Sequence, residues 1–258
     1  MTTYVITHKQ FNYPLPTGYR PILVGAVKNA NPDHYLADNE GDNISIKNPS
    51  FCELTGLYWM WKHTTDETVG LAHYRRYFSK YPSRGKMYLA TLLKGQVRPV
   101  AEAELAALLN TYDWIVAEPE AGGLGTVKEQ FAANHNLVDL DVTRQVIQEL
   151  SPEVLPAFDE IMGRHVTSFY NMFYTSREEL VAYCEWLFKV LFEVERRTDI
   201  SSYSAYQQRL YGFLAERLLN VWLVYRHAKV KYLAEYQTDQ LNRHYALDRF
   251  KRKLRSAD

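Results

Sequence analysis

Cysteine is scarce in this 258-residue chain: only Cys52 and Cys184 are present, each inside an amphipathic helix pattern and with no Cys-x-x-Cys spacing. That excludes a disulfide framework or a thiolate zinc site, and implies reduced core thiols in a cytosolic protein. Net charge is also missing, since 30 basic and 30 acidic residues cancel. No overall field therefore recruits nucleic acid. No apolar run approaches the roughly 20 residues needed to span a bilayer. The start of the chain reads as a strand, Thr3-Tyr4-Val5-Ile6-Thr7, and not as a basic then apolar leader. Gly-Lys-Ser/Thr does not occur, so the glycines of Ala121-Gly122-Gly123-Leu124-Gly125 form no phosphate loop and suit a mobile loop. Internal repeats are absent as well. The expectation is a cytoplasmic protein, peripheral at most to the inner face of the plasma membrane.

Against these absences, 47% of the residues are hydrophobic, enough for one large core. We expect one domain over residues 1–228 and a basic helical tail over 229–258. Short apolar runs alternate with helical patterns. Strands are expected at Tyr4–Thr7, Ile22–Ala26, Val69–Ala72, Asp113–Ala117 and Ser168–Tyr174. Helices are expected after Ser50 to about His63, and at Ala101–Leu109, Thr126–Leu150, Pro152–Met162, Glu178–Val194 and Ser204–Tyr225. The segment from Met87 to Leu93 fits a short strand or a helix. Alternation of this kind predicts an α/β domain with a mixed, mostly parallel sheet flanked by helices.

The densest stretch runs from Asp42 to Phe78. Pro49 opens a helix, and Ser50 and Glu53 have capping-box spacing. The strand after it ends in His73-Tyr74-Arg75-Arg76-Tyr77-Phe78. Ligands of open α/β sheets bind beyond the carboxyl ends of strands, and arginine forks match phosphate oxygens two at a time. Arg75 and Arg76 therefore suit a diphosphate, with His73 assisting; the competing reading is an edge of surface arginines between tyrosines. At the exit of the first strand, Thr7, His8 and Lys9 are candidates by position to meet a ligand, which in nucleotide-sugar folds would be the base or ribose; the alternative is a solvated loop. The polar stretch from Asn29 to Lys47 reads as a binding loop. Within it Asp42 is either a ligand-facing carboxylate or a turn residue, and Asp38 and Glu40 are expected to be solvated.

The segments Asp42-Asn43-Ile44-Ser45, Lys47-Asn48, Glu53-Leu54-Thr55, Leu57-Tyr58-Trp59, Gly70-Leu71 and His73-Tyr74-Arg75-Arg76-Tyr77-Phe78 resemble the signature of a bacterial family. Asn171-Met172-Phe173, Tyr183-Cys184-Glu185-Trp186-Leu187-Phe188 and Gly212-Phe213-Leu214-Ala215-Glu216-Arg217-Leu218 extend the likeness over most of residues 3–225. The family was long catalogued as a domain of unknown function, and it occurs in capsule, exopolysaccharide and O-antigen gene clusters. Its members resemble glycosyltransferases with a GT-A-type nucleotide-sugar fold, some associated with galactofuranose transfer. The resemblance implies a UDP-sugar donor, of galactofuranose or galactose, and a polysaccharide or lipid-linked acceptor. It also makes Asn43 a candidate for the donor and Asn171 for the acceptor.

Metal-dependent nucleotide-sugar transferases hold Mn²⁺ or Mg²⁺ on an Asp-x-Asp at a strand exit. Asp139-Leu140-Asp141 is the sole such motif here, and the helical pattern around it places it elsewhere. Arginines can neutralise a departing UDP in place of a metal. We therefore expect no cofactor and a metal-independent transfer, with Mn²⁺ or Mg²⁺ left open. Inversion would need a base at the acceptor hydroxyl. Glu118, at a strand exit, and Asp42 rank ahead of Glu216 and His135. Those last two are placed on the acceptor side; His135 and Asp139, four apart on one expected helix face, either hold an acceptor hydroxyl or form a structural His–Asp pair. Retention stays open. The competing classes are a glycan-binding scaffold and a phosphoryl-transfer or hydrolytic enzyme using His73. In the tail, Arg243, Arg249, Lys251, Arg252, Lys253 and Arg255 alternate with Tyr245, Leu247, Phe250 and Leu254, which suits either an anionic membrane surface or a solvated helix.

Overall fold

The computed structural model describes residues 1–239 and 242–255, with the side chains of Tyr236 and of residues 250–255 outside the description. Among the described residues nine strands form one sheet: β1 (Thr2–Thr7), β2 (Tyr19–Leu23), β3 (Leu36–Ala37), β4 (Thr68–His73), β5 (Arg76–Phe78), β6 (Trp114–Ala117), β7 (Phe173–Ser176), β8 (Val230–Leu233) and β9 (Glu235–Gln237). The helices are α1 (Asn48–Phe51), α2 (Leu54–His63), α3 (Arg84–Lys94), α4 (Glu102–Leu108), α5 (Val127–Asn134), α6 (Leu137–Leu150), α7 (Leu155–Gly163), α8 (Arg177–Arg197), α9 (Leu210–Tyr225) and α10 (Arg243–Arg255).

The main strand order is β3-β2-β1-β4-β7-β6-β8, with β5 paired to β4 and β9. The first four strands run parallel, β7 runs antiparallel to both β4 and β6, and β6 and β8 are parallel. This is the mixed, mostly parallel sheet expected from the sequence. Both faces are buried, which is why β1 and β6 read as unbroken apolar runs. Tyr4, Ile6, Leu71, Trp114 and Val116 pack toward α2, α8 and α9, while Val5, Ala72, Ile115 and Ala117 pack toward Met87 of α3 and Leu105 of α4. Period-2 alternation assigns each residue its side. Gly56 lets α2 approach closely, since a Cβ there would stand 2.5 Å from Ile6 Cδ1.

Sheet order reverses at β1, which has β2 on one side and β4 on the other. Register sets Ile6 beside His73 and Thr7 beside Leu23, so the carboxyl ends of β1 and β4 open at one place. Such a switch point is where a parallel sheet leaves a crevice.

Several expected elements differ. The helix expected from Ser50 to His63 breaks at Cys52, whose φ is +52°, a conformation that costs a non-glycine residue energy. The Asn48 amide stabilises the break by donating to Cys52 O at 2.8 Å. The capping pair therefore does not form: Ser50 Oγ donates to Lys47 O, and Glu53 turns elsewhere. The helix expected over 126–150 stops at an extended His135, separating His135 from Asp139. β2 lies a few residues earlier than expected, and its exit turns at Gly25 with φ +61°. β7 starts only at Phe173, because Tyr170 and Asn171 have φ of +83° and +48°. Segment 230–237, expected within a helical tail, supplies β8 to β6 and β9 to β5 before α10 begins. The tail residues Lys251, Arg252, Lys253 and Arg255, with Phe250 and Leu254, have side chains outside the described ones. Among the described residues no helix is long and apolar enough to cross a membrane.

Candidate active site

A cleft of about 400 Å³ opens at the carboxyl ends of β1 and β4 and is walled by the α1–α2 break. Thr7 and His8 line it from β1, and His73, Tyr74, Arg75 and Arg76 from the tight turn joining β4 to β5. Asn48, Cys52 and Glu53 complete the α1–α2 wall, and Arg209 enters from the turn before α9. Antiparallel pairing of His73 with Arg76 fixes the two side by side. Three guanidinium groups thus border one cleft.

Their restraints differ. Arg75, half exposed, is 3.5 Å from Asp239, a surface pair worth little. Arg76 Nε is 3.5 Å from Glu235 Oε1, and neither atom finds a hydrogen bond among the described residues. Its guanidinium lies 4.7 Å from the Tyr170 ring centroid. Arg209 Nε donates to Cys52 Sγ at 3.4 Å, while its guanidinium sits 5.3 Å from the Phe213 ring. The His73 Nε2 to Tyr170 O distance is 2.6 Å, and a carbonyl only accepts, so Nε2 carries the proton and Nδ1 is the ring's acceptor. Burial pushes this imidazole below its usual value, and Arg76 and Arg209 add to that against Glu53 and the carbonyl. Desolvation and the cations Lys9, Arg75 and Arg209 lower His8 likewise. Burial pushes the Cys52 thiol up to about 12, which leaves it an unreactive wall residue.

A second cleft of about 390 Å³ adjoins the first and is lined by Glu120, Gln130, Asn134, His135, Phe169, Tyr170, Tyr206, Phe213, Glu216 and Arg217. His135 stacks on Phe213 at 4.3 Å, and Tyr206 meets Phe213 at 5.1 Å. The two clefts share no lining residue, but side-chain contacts link their walls. Tyr170 lies under Arg76 and donates its hydroxyl to Glu120, and Asn171 Nδ2 donates to Glu53 Oε1 at 2.5 Å. Tyr170 N donates to Glu216 Oε1 at 3.3 Å. Burial raises Glu216 to about 7; Arg217 opposes the rise and Glu53 adds to it.

Of the sequence-predicted residues, Thr7, His8, His73, Arg75 and Arg76 come together in the first cleft, and His135 and Glu216 in the second. Asn171 is buried between them, and its Oδ1 has no hydrogen-bond partner among the described residues. Lys9 stands at the rim, 5.7 Å from the Tyr74 ring. Asp42, Asn43 and Glu118 line neither cleft. Asp42 accepts from the Tyr58 hydroxyl at 3.0 Å and lies 3.9 Å from Lys62. The Asn43 amide donates to Asn39 O and Gly41 O, closing a turn. Glu118 accepts from Arg84 N at 2.6 Å, at the start of α3. His135 and Asp139 do not pair: His135 meets Gln207 at 3.0 Å, and the Tyr203 hydroxyl donates to Asp139 at 3.1 Å. Asp38, expected in solvent, is fully buried. Glu53, Glu120, Tyr170, Arg209 and Arg217 were not selected from the sequence as site residues. The Glu216-Arg217 dipeptide in an apolar helix stripe was the one signal pointing to any of them.

Glu235, which restrains Arg76, is also raised to about 7 by burial, with Arg76 and Arg84 opposing and Glu120 adding. A carboxyl whose folded value exceeds its unfolded one of about 4.3 leaves stability intact below that value and erodes it as pH rises toward the folded value. Glu235→Gln removes this loss. Relative to the wild-type protein, the variant is expected to gain on the order of 2–3 kcal/mol between pH 5 and pH 8 in denaturant titrations. Parallel stability curves would contradict the assignment.

The fold is similar to that of WbbM, a bifunctional glycosyltransferase solved in its apo form, with a TM-score of 0.80 and 24% identity. The match covers 91% of this chain and 44% of that one, so the chain spans less than half of WbbM. No curated protein matches it. With the sheet, its switch-point crevice and the two clefts in place, the family model described as a domain of unknown function, DUF4422, matches residues 2–228, and the chain belongs to that family.

Proposed function

We propose that the protein is a glycosyltransferase that seats a UDP-sugar in the first cleft and passes the sugar to a glycan hydroxyl in the second. One observation carries this reading: Arg75, Arg76 and Arg209 converge on the crevice at the sheet's switch point, where a diphosphate would meet them. The fold likeness to a glycosyltransferase supports it. Thr7, His8 and the rim residue Lys9 lie where base and ribose would extend, and the neutral His73 stands beside Arg76. Asn43 would act on the donor only through the loop it closes. In the second cleft, aromatic faces suit sugar rings, and His135 and Asn171 border the acceptor's path.

The transfer is proposed to need no metal, because the arginines supply the positive charge that meets the departing UDP. Galactofuranose or galactose is the donor sugar that the family resemblance implies. The acceptor would be a growing cell-surface polysaccharide or lipid-linked oligosaccharide, met at the inner face of the membrane.

Thermal-shift titration with UDP tests this, because a ligand that binds only the folded state stabilises it by about 2.7 kcal/mol at 100 times its Kd. The shift is expected to survive EDTA and to vanish in Arg75→Ala/Arg76→Ala. Dependence on Mn²⁺ would refute metal independence. No UDP shift, together with tight binding of glycan and no turnover, would favour a glycan-binding module instead.

A further inference from the structure

We propose that Glu216 is the general base of the transfer, accepting the proton of an acceptor hydroxyl whose sugar ring rests on the aromatic face formed by Tyr206 and Phe213. The proposal rests on the transferase reading above.

Position comes first. Glu216 lies on α9 one turn after Phe213, lines the second cleft, and sits at the boundary where Tyr170 and Asn171 separate it from Arg76 and Glu53. Tyr206 is 55% exposed and its ring meets Phe213 at 5.1 Å, with His135 and Arg209 also packed against the pair. Tyr170 links the two sides, with Arg76 of the first cleft over its ring and its N–H on Glu216 of the second.

Restraint comes second. Arg217 Nη1 donates to Glu216 Oε2 at 3.0 Å and to Phe213 O at 2.8 Å, while its Nη2 donates to Gln130 Oε1 at 2.7 Å. This buried guanidinium holds the carboxylate toward the cleft, so Arg217 is a positioning residue. Among the described residues, Glu216's other oxygen has one long contact, 3.3 Å from Tyr170 N, which leaves it lone-pair capacity for a hydroxyl.

Competition comes third. Glu120 is engaged by the Tyr170 hydroxyl and lies 3.5 Å from Arg84, and Glu53 is engaged by Asn171. Asp42 and Glu118 stand outside both clefts with their own partners.

In the step itself, the acceptor O–H bond breaks and its proton goes to Glu216. The oxygen's electron pair forms the bond to the anomeric carbon, and the bond from that carbon to the β-phosphate oxygen breaks. Its electron pair leaves with UDP toward Arg75, Arg76 and Arg209. Direct displacement of this kind inverts the anomeric configuration.

The charged groups facing Glu216 are Arg217 on its own helix, Arg76 from β5 and Glu53 from the α1–α2 turn, with the Cys52 thiol nearby. With the carboxyl raised to about 7, a base reading requires activity to climb with pH through an apparent pKa near that value.

The experiment measures UDP release from UDP-galactofuranose and UDP-galactose with octyl β-galactofuranoside and octyl β-galactopyranoside as acceptors, and the UDP thermal shift alongside. Glu216→Gln is expected to lower kcat at least 100-fold, to keep the UDP shift, and to abolish the acid limb. Arg217→Lys loses the fork that favours the carboxylate, so the limb is expected to move to higher pH, which a purely structural role would not produce. A Glu216→Gln enzyme within threefold of wild type, or one with the same acid limb, overturns the proposal while leaving the transferase reading standing. A wild-type protein that releases no UDP from either donor overturns both.

Discussion

Arg209→Ala is expected to lower kcat/KM for transfer from the UDP-sugar on the order of 100-fold, the usual effect of removing one preorganised group from the place where charge develops. Arg209 differs from Arg75 and Arg76 in also touching aromatic rings that line the second cleft. It lines the first, while its guanidinium lies 5.3 Å from Phe213 and 5.9 Å from Tyr206 of the second. Truncation thus removes a cation from the diphosphate and frees the aromatic platform that the acceptor would use. Both donor KM and kcat are expected to change. Arg209→Lys restores charge without the planar stack, so it is expected to recover donor KM more than kcat. The guanidinium is exposed, so the melting temperature should move little and kinetics can be compared directly. Steady-state UDP release at several acceptor concentrations measures the split, and an Arg209→Ala enzyme within threefold of wild type would remove Arg209 from the machinery.

Sequence order made one half of the first cleft legible and hid the other. Thr7 and His73 were readable because both end apolar runs, and parallel pairing must place such ends together. The turn His73-Tyr74-Arg75-Arg76 follows from the same rule. Arg209 carries no comparable signal: it falls inside the helix expected over Ser204–Tyr225, whereas α9 starts only at Leu210 and its packing against the α1–α2 break brings Arg209 to the cleft. Glu53 was hidden by a rival local explanation, its capping-box spacing with Ser50, which the positive φ of Cys52 defeats. Tyr170 and Asn171 read as part of a strand, whereas two consecutive positive-φ residues turn them into the boundary between clefts. Glu118 satisfied the strand-exit rule but is taken by Arg84 at the start of α3, a long-range contact that periodicity cannot reveal. Helix boundaries failed for a related reason. His135 ends α5 in an extended conformation, its ring stacked on Phe213, and tertiary packing overrides a continuous helical pattern there.

Asp38 shows the same limit most plainly and leads to the largest expected loss of stability. In a polar loop it reads as a solvated carboxylate; in the fold it is 0% exposed and accepts four hydrogen bonds. Gly25 N and Ala26 N donate at 2.9 and 3.0 Å, and the Ser45 and Thr55 hydroxyls each donate at 2.5 Å. One side chain therefore ties the exit of β2 to the segment before α1 and to α2. Asp38→Ala leaves two backbone N–H groups without their acceptor and opens a void. The expected cost is on the order of 3–5 kcal/mol, or roughly 10 °C in melting temperature for a chain of this size. Asp38→Asn preserves volume, and the one hydroxyl that meets its NH₂, Ser45 or Thr55, can reverse to accept, but that NH₂ also faces a backbone N–H that needs an acceptor. An intermediate loss is expected. The damage should reach the donor cleft: Gly25 packs so tightly against Asn48 that a Cβ would lie 2.7 Å from Asn48 Oδ1, and Asn48 lines the cleft. Denaturant melts with and without UDP separate the two effects. Asp38→Ala is expected to lose both baseline stability and part of the UDP-dependent gain, whereas a melt within 1 kcal/mol of wild type would show that the carboxylate merely fills space.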